Sequence, residues 1–308
     1  MSSLGITYFC KSNIFYQNNA LQHTKCLITQ TEDLYPLKGY EKNYLVKSKS
    51  SGFVFCSKIP TEEEIYNHYN NYPIGYGADS AITTIRINEV LDGFEKFRKT
   101  NKMLDVGCGP GLFLIEAKKR GWEVYGTEFT DKQLTYLKDK GINTLKGKLN
   151  DDSFENELFD VIISSEVIEH INNPVEEIQQ FHRLLRKGGV VYITTPNFNA
   201  LERYLLKGDY EIIEYPEHLC YYTPKTIDLL LTQNGFKKLK ITTTGISLAR
   251  IKKSLKRKNN EPVSGTINDE RLRENLEKGF NKQVKNGINF FLNLFRIGNS
   301  LKVWYVKV

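Results

Sequence analysis

From about residue 79 onward the chain alternates between two hydrophobic rhythms. Short apolar runs at 103–106, 122–127, 142–145, 159–165, 190–195 and 237–243 are separated by longer stretches with apolar residues every three or four positions. Short runs bounded by turn residues predict buried strands, and the periodic stretches predict helices. Apolar residues at 82, 85, 90, 91, 94 and 97 predict a helix over 79–99, capped by Asp79 or Ser80. Further helices are predicted over 112–120, 131–140, 175–187 and 226–234. Each is followed at once by glycine, at 121, 141, 188–189 and 235, the residue that most readily ends a helix. Strands and helices in alternation make an α/β fold, a doubly wound parallel sheet. The continuous apolar run at 159–165 is that of a strand covered on both faces. The last stretch, 300–308, alternates instead: Leu301, Val303 and Tyr305 share one face and Lys302 takes the other.

Two segments break the rhythm. Residues 1–75 are rich in Asn, Tyr, Lys and Ser, with short strand-like pieces such as 52–55, and Thr61 to Glu64 reads as a capping box opening a short helix. A turn-rich linker around Tyr72 and Tyr76 follows, and Tyr76 is placed to reach a ligand of the next domain. Residues 246–297 carry a basic run (Arg250, Lys252, Lys253, Lys256, Arg257, Lys258) and a loop at 262–268. Leu272, Leu276, Phe280, Val284 and Ile288 then recur every four residues, which predicts a long amphipathic helix.

Composition narrows the classes. With 308 residues there is material for one large or two modest domains and a full core. A net charge of +7 is a mild excess, against a dedicated nucleic-acid binder. The first residues have neither a basic nor an apolar leader region, so no signal peptide is expected. No run reaches the roughly 18 apolar residues of a membrane span. Five scattered cysteines do not make a disulfide framework, so a reduced, cytoplasmic protein is expected.

The densest chemistry lies where the first strand of the alternating region ends, at Asp105-Val106-Gly107-Cys108-Gly109-Pro110-Gly111. Glycines at 107, 109 and 111 let the backbone bend sharply and let a ligand lie directly on it. Leu112 stands where a dinucleotide fingerprint has its third glycine, and the Lys-Ser/Thr of a phosphate loop is missing. Asp105 would repel a phosphate and suits a ligand carrying an ammonium group. The stretch resembles the first motif of the class I S-adenosylmethionine (SAM) methyltransferases. Glu128, about twenty residues past the turn, stands where such folds hold ribose hydroxyls. Residues 147–152 resemble the loop that contacts adenine, with Asn150 or Asp151 accepting from the exocyclic amine and backbone N–H near Leu149 serving a ring nitrogen. Glu166-Val167-Ile168-Glu169-His170, just after Ser165 and followed by Asn173-Pro174, resembles the post-strand signature of the same class. The resemblance implies that Ser165, Glu166, Glu169 and His170 shape the cofactor pocket. Their spacing is not that of H-E-x-x-H, and no metal is expected there. It also implies a Rossmann-like seven-stranded sheet with the last strand antiparallel, a catalytic domain over 76–308, and 246–297 as a helical lid inserted before that strand.

The acceptor side has its own resemblance. Tyr215-Pro216-Glu217-His218-Leu219-Cys220-Tyr221-Tyr222-Thr223-Pro224 looks like the P-E-H-x-x-Y-x-(S/T)-P loop of methyltransferases in surface-polysaccharide and deoxysugar pathways. In related nucleotide-sugar C-methyltransferases a Y-x-E-H stretch is implicated in deprotonation. The match implies catalytic roles for Tyr215, Glu217 and His218, with His218 as base and Glu217 holding its tautomer. The plainer alternative is a loop histidine bonding backbone near the Thr223-Pro224 helix cap. Residues 47–55 and 60–66 resemble the small zinc ribbon that precedes many sugar-modifying methyltransferases. Here Ser48 and Ser51 would replace one cysteine pair, and Cys10 with Asn13 would form the other. Structural zinc needs four thiolate or imidazole ligands, so a degenerate, metal-free module is expected.

These readings point to transfer of a methyl group from SAM to a saccharide hydroxyl, the acceptor being a small molecule or saccharide and, in view of the basic run, anionic. Rival readings are a quinone-type phenol O-methyltransferase with the insertion touching a membrane surface, an RNA methyltransferase, and a SAM-binding regulator without catalysis.

Overall fold

The computed structural model describes residues 14–17, 20–61, 63–65, 81–246, 251 and 279–308. Five short strands come first: β1 (Ile14–Gln17), β2 (Ala20–His23), β3 (Leu34–Pro36), β4 (Leu45–Ser48) and β5 (Val54–Cys56). The alternating region follows as α1 (Ala81–Phe94), β6 (Lys102–Val106), α2 (Leu112–Lys119), β7 (Glu123–Glu128), α3 (Asp131–Asp139), β8 (Asn143–Lys146) and β9 (Phe159–Ser165). It continues as α4 (Pro174–Leu184), β10 (Leu185–Pro196), α5 (Leu201–Leu206), β11 (Cys220–Tyr221), α6 (Pro224–Gln233), β12 (Phe236–Thr244), α7 (Gly279–Leu294) and β13 (Ser300–Lys307).

The main sheet has seven strands in the order β12-β13-β10-β9-β6-β7-β8. Strands β6 to β10 pair in parallel, and β13 runs antiparallel to both β10 and β12, as the alternation at 300–308 implied. Period two along each strand sends neighbours to opposite faces. Leu104 and Ile162 enter one apolar cluster with Phe181, and Met103, Val161 and Ile163 enter the other with Phe94 and Leu114. The chain leaves β6 in one direction to β7 and β8, then returns past it to β9 and β10. The carboxyl ends of β6 and β9 therefore flank the point where strand order reverses, the crevice where open α/β sheets hold ligands.

One expected boundary moves. Helix α4 stops at Leu184, and β10 starts at once with Leu185. Gly188 and Gly189, expected to end the helix, fall instead in a register shift of β10 between Leu185 and Val190. A Cβ at Gly189 would sit 3.0 Å from the backbone oxygens of Asp160 and Arg186, so the irregularity needs a residue without one.

The amino-terminal strands are joined to the rest by backbone pairing. A second sheet has the order β11-β5-β4-β3, with Phe55 opposite Cys220 and Val54 opposite Tyr221. It thus crosses the expected domain boundary near residue 75 and takes in the loop that carries Tyr215, Glu217 and His218. Leu45, Val54 and Cys56 share an apolar cluster with Phe198, Leu206, Tyr210 and Tyr221.

In the turn after β4, Ser48 and Ser51 are buried. The Ser48 hydroxyl accepts from Ser51 N at 3.2 Å, the Ser51 hydroxyl accepts from Phe53 N at 3.1 Å, and Cys26 Sγ lies 3.4 Å from Ser51 Oγ. A thiol-and-hydroxyl network thus fills the turn. The cysteine that meets it is Cys26, whereas Cys10 and Asn13 lie outside the described residues. So do Tyr76, the basic run from Arg250 to Lys258, and Leu272 and Leu276. Within α7, Val284 and Ile288 of the expected stripe face solvent and Leu292 is the buried anchor. Asn293 and Asn289 accept from Thr243 N and Gly245 N, tying the helix to the end of β12. Among the described residues no helix is long and apolar enough to cross a membrane.

Candidate active site

The glycine turn connects β6 to α2 at the reversal point. Gly107, Gly109 and Gly111 all have positive φ, at 65°, 51° and 70°. A side chain at Gly111 would meet Leu137 Cδ2 at 2.3 Å, so glycine there lets α2 and α3 pack. Gly109 is different: a Cβ there meets nothing within 4 Å, so its bare backbone borders open space.

Two carboxylates frame that space. Asp105 is buried at the end of β6, and burial followed by the nearby Glu128 pushes its carboxyl up to about 8. A buried acid so placed favours a cationic partner. Glu128 ends β7 and is already engaged by the protein. Its Oε2 accepts from Gly109 N at 3.0 Å, and its Oε1 accepts from Phe129 N and Thr130 N, at the start of α3. It therefore fixes the turn and the helix start. In the 147–152 loop, Leu149 is buried. Asn150 Oδ1 accepts from Asp152 N and the Ser153 hydroxyl, while Asp151 Oδ1 accepts from Gln180 Nε2. Both side chains brace the loop, which leaves its backbone as the readier contact for a ring.

Past β9 the chain bends through Glu166, a non-glycine residue with φ of 54°. The bend is held by the end of β10. Thr194 Oγ1 lies 2.9 Å from Ser165 Oγ and donates to Glu166 Oε1 at 2.8 Å, and the Thr195 hydroxyl donates to Glu169 Oε2 at 3.0 Å. Glu169 is 2% exposed, and burial, then Glu166, raise its carboxyl well above the ordinary value.

The structure brings His218 against His170, their ring centroids 4.8 Å apart at 65°. His218 Nδ1 lies 2.7 Å from Ile212 O, and His170 Nδ1 lies 2.6 Å from Glu217 O. A carbonyl only accepts, so both imidazoles carry their proton on Nδ1 when neutral and present a lone pair at Nε2. The orienting role expected of the Glu217 side chain thus falls to the Ile212 carbonyl, and Glu217 acts through its own carbonyl on His170. Glu169 completes the group: one donor atom from each of Glu169, His170 and His218 lies within 4.8 Å of the others. Glu169 joined no acceptor role in the sequence, because its histidine partner arrives 49 positions later.

Tyr215 points to other partners. Its hydroxyl donates to Glu64 Oε2 at 2.9 Å, its ring packs edge-on against Tyr44, and its N–H donates to Asn43 Oδ1 at 3.2 Å. Burial and then Glu64 push its phenol well above the usual range. His218 is gripped from the same side: Cys56 Sγ donates to His218 O, and Cys56 N donates to Leu219 O at 2.8 Å. Leu219 N in turn donates to Glu169 O at 2.8 Å, which locks the two histidine-bearing segments together. Cys56 and Asn43 carried no motif in the sequence that would have marked them.

Known proteins resemble this chain in sequence and in fold. A family model described as a methyltransferase domain matches residues 84–241. A ubiquinone biosynthesis O-methyltransferase of Rickettsia canadensis is 27% identical over 206 residues, 62% of this chain and 82% of that protein. One from Nitrosomonas europaea is 32% identical over 120 residues, 37% of this chain and 49% of that protein, so the chain spans about half of it. Among solved structures, a SAM-dependent methyltransferase from Archaeoglobus fulgidus matches with TM-score 0.51 and 17% identity, covering 80% of this chain and 100% of that one. A phosphoethanolamine N-methyltransferase 2 of Haemonchus contortus, in complex with S-adenosyl-L-methionine, matches with TM-score 0.52 and 17% identity, covering 82% and 62%.

Proposed function

The chain belongs to the methyltransferase-domain family, and from that premise we propose that it moves a methyl group from SAM to a hydroxyl of a saccharide acceptor in surface-polysaccharide or sugar-nucleotide metabolism. The residues at the reversal point suit the cofactor. The open backbone at Gly109 offers a bed, buried Asp105 matches the charge of the amino-acid part, and Glu128 borders the place for the ribose. When bound, SAM supplies the electrophilic methyl on a sulfonium. The protein must then orient the acceptor, exclude water and take one proton.

The observation that carries the reading is the orientation of His218. With Nδ1 against the Ile212 carbonyl, its Nε2 lone pair is turned to receive the acceptor proton beside the buried Glu169 carboxyl. Imidazole is the side chain most often used as a general base. Glu217 contributes by bonding His170, and Tyr215 by fastening the loop to Glu64.

A second acceptor class has its own support: the curated relatives named above are ubiquinone biosynthesis O-methyltransferases. A phenol is more acidic than a sugar hydroxyl, so the same base would serve it. Labelled SAM incubated with a panel of sugar nucleotides and glycans, beside catechols bearing an isoprenoid tail, separates the two. Methyl transfer to a sugar supports our reading, and transfer to the phenols alone replaces it with the second. No transfer to any member, with cofactor bound, favours a non-catalytic SAM-binding protein.

A further inference from the structure

We propose that Arg86, Lys285 and Lys302 form a subsite for a phosphate or diphosphate group of the acceptor, which deepens the saccharide reading above and rests on it for the ligand's identity. The three cations come from three elements that converge at the carboxyl end of the main sheet. Lys302 lies on β13 opposite Thr194 of β10 and Thr242 of β12. Thr194 donates to Glu166 Oε1, so Lys302 stands beside the strand that holds the bend after β9. Trp304, two residues on, shares the face of Lys302, and a Cβ at Gly93 of α1 would meet the Trp304 ring at 2.7 Å. Arg86 precedes Gly93 by two helical turns and lies on the same stripe of α1. On the outer side, Asn289 and Asn293 of α7 accept from Gly245 N and Thr243 N at the end of β12. Lys285 precedes Asn289 by one turn, on that same stripe.

Charge sets this group apart from an ordinary solvated face. Lys302 is partly buried. Burial and then Arg86 lower the pKa of its ammonium from the ordinary lysine value, Lys285 acts in the same sense, and Glu166 and Glu89 oppose them. Among the described residues that ammonium makes no hydrogen bond and no ion pair. A cluster that served only the fold would set a carboxylate against it, because a charge taken from water without a partner is costly. Glu166 lies within electrostatic reach, yet its Oε1 accepts from Thr194. Three cations against two carboxylates leave the rim of the crevice with an excess of positive charge.

A phosphate group suits this excess. Lysine meets phosphate as a point charge and arginine meets it with a planar fork, and the rim offers both. A neutral sugar hydroxyl would leave the positive charge unanswered. The placement fits as well. In the order β13-β10-β9-β6, Lys302 stands three strand spacings from the strand that carries the glycine turn, about 14 Å. That span leaves room for a sugar ring between an anchored phosphate and a methyl donor lying on the turn.

Full-length protein is titrated by calorimetry with inorganic pyrophosphate at about 0.15 M salt, with S-adenosylhomocysteine present to cover the cofactor edge. One pyrophosphate per chain with Kd below about 1 mM is expected. Lys302→Gln and Arg86→Gln should each weaken it at least about tenfold, the loss of one charged hydrogen bond. Lys238→Gln, which removes a lysine paired with Asp228 elsewhere on β12, should leave it unchanged. Arg86 is exposed on its helix, so its variant carries the test even where a change at 302 disturbs folding, which circular dichroism checks. A sugar nucleotide and a short-chain prenyl diphosphate are titrated in parallel, and binding of either supports the shared chemistry and names its source. No saturation by pyrophosphate below about 1 mM, affinity that survives both Lys302→Gln and Arg86→Gln, an equal loss in Lys238→Gln, or tighter binding of glucuronate than of pyrophosphate would overturn the proposal. These titrations need no methyl transfer, so their failure leaves the saccharide reading to its own assay, and failure of that assay leaves the anion site standing.

Discussion

The two edges of the crevice are built by different means. The edge we propose for the cofactor is made of residues at strand ends: Asp105 stands one residue before the end of β6, the glycine turn follows, and Glu128 closes β7. Its geometry is local, fixed by positive φ and by a carboxylate bonding a backbone N–H nineteen residues away. The edge we propose for the acceptor is assembled from afar. His218 depends on a carbonyl six residues back, on Cys56 from β5, and through Leu219 on Glu169. Tyr215 hangs on Glu64, 151 positions earlier. An edge made of one turn is specified once, by the fold. An edge made of four segments can be retuned by altering any one.

This contrast predicts separable losses. The largest belongs to His218→Gln, where methyl transfer should fall by roughly 10²–10⁴, the usual contribution of a general base. SAM affinity should stay near wild type, since His218 belongs to the edge proposed for the acceptor. Turnover retained with a true acceptor would show that His218 only positions the substrate.

Next in size is a pH effect confined to the cofactor edge. Asp105 has its carboxyl pushed up to about 8 in the fold, against about 3.9 in an unfolded chain. The folded state therefore holds this proton more tightly, and the stability it contributes is full below about pH 4 and lost as pH rises through about 8. Asp105→Asn keeps the shape without the titration. Its melting temperature, without ligand, should gain on wild type steadily between pH 5 and 8. Parallel curves over that range would remove the buried-acid argument.

Ser51→Ala tests the amino-terminal module. It leaves Phe53 N without its acceptor in a buried turn, a loss of about 1–3 kcal/mol visible in denaturant unfolding. Elemental analysis is a companion check on the expected metal-free turn: zinc bound by wild type but lost from a Ser48→Ala, Ser51→Ala double variant or from Cys26→Ala would show that the turn holds a metal after all. The smallest effect is expected from Tyr215→Phe, which loses one hydrogen bond to Glu64 worth about 1 kcal/mol. Acceptor KM should rise several-fold while kcat changes little. A fall in kcat as large as that of His218→Gln would return Tyr215 to the chemistry.

What was legible in the sequence follows the same division. The sheet, its antiparallel last strand and the cofactor motif are written in contiguous patterns: a two-residue or four-residue period, glycines at 107, 109 and 111, an acid after β7. The exception is instructive, because Gly188-Gly189 looked like a helix stop and proved to be an irregularity inside β10. Periodicity cannot tell the two uses of glycine apart. On the acceptor edge the sequence marked His218 but gave its tautomer to the wrong group. It read Tyr215 and Glu217 as chemistry, whereas their observed bonds fasten one loop to Glu64 and the other histidine to a carbonyl. Those assignments depend on which distant segment lands where, and no local spacing encodes it. The amino-terminal strands were legible as a small module and not as part of the acceptor loop's own sheet.

The central claim is that a SAM site and an acceptor site meet at the reversal point of the sheet, with distinct residues serving each. Calorimetric titration of SAM into wild type, Asp105→Ala, Glu128→Ala and His218→Gln tests it most directly. One site per chain should appear in wild type. Affinity should be weaker by about 1–3 kcal/mol, the range for a charged hydrogen bond, in each of the first two variants, and little changed in the third. No SAM binding in wild type, or unchanged affinity in both Asp105→Ala and Glu128→Ala, would contradict the account.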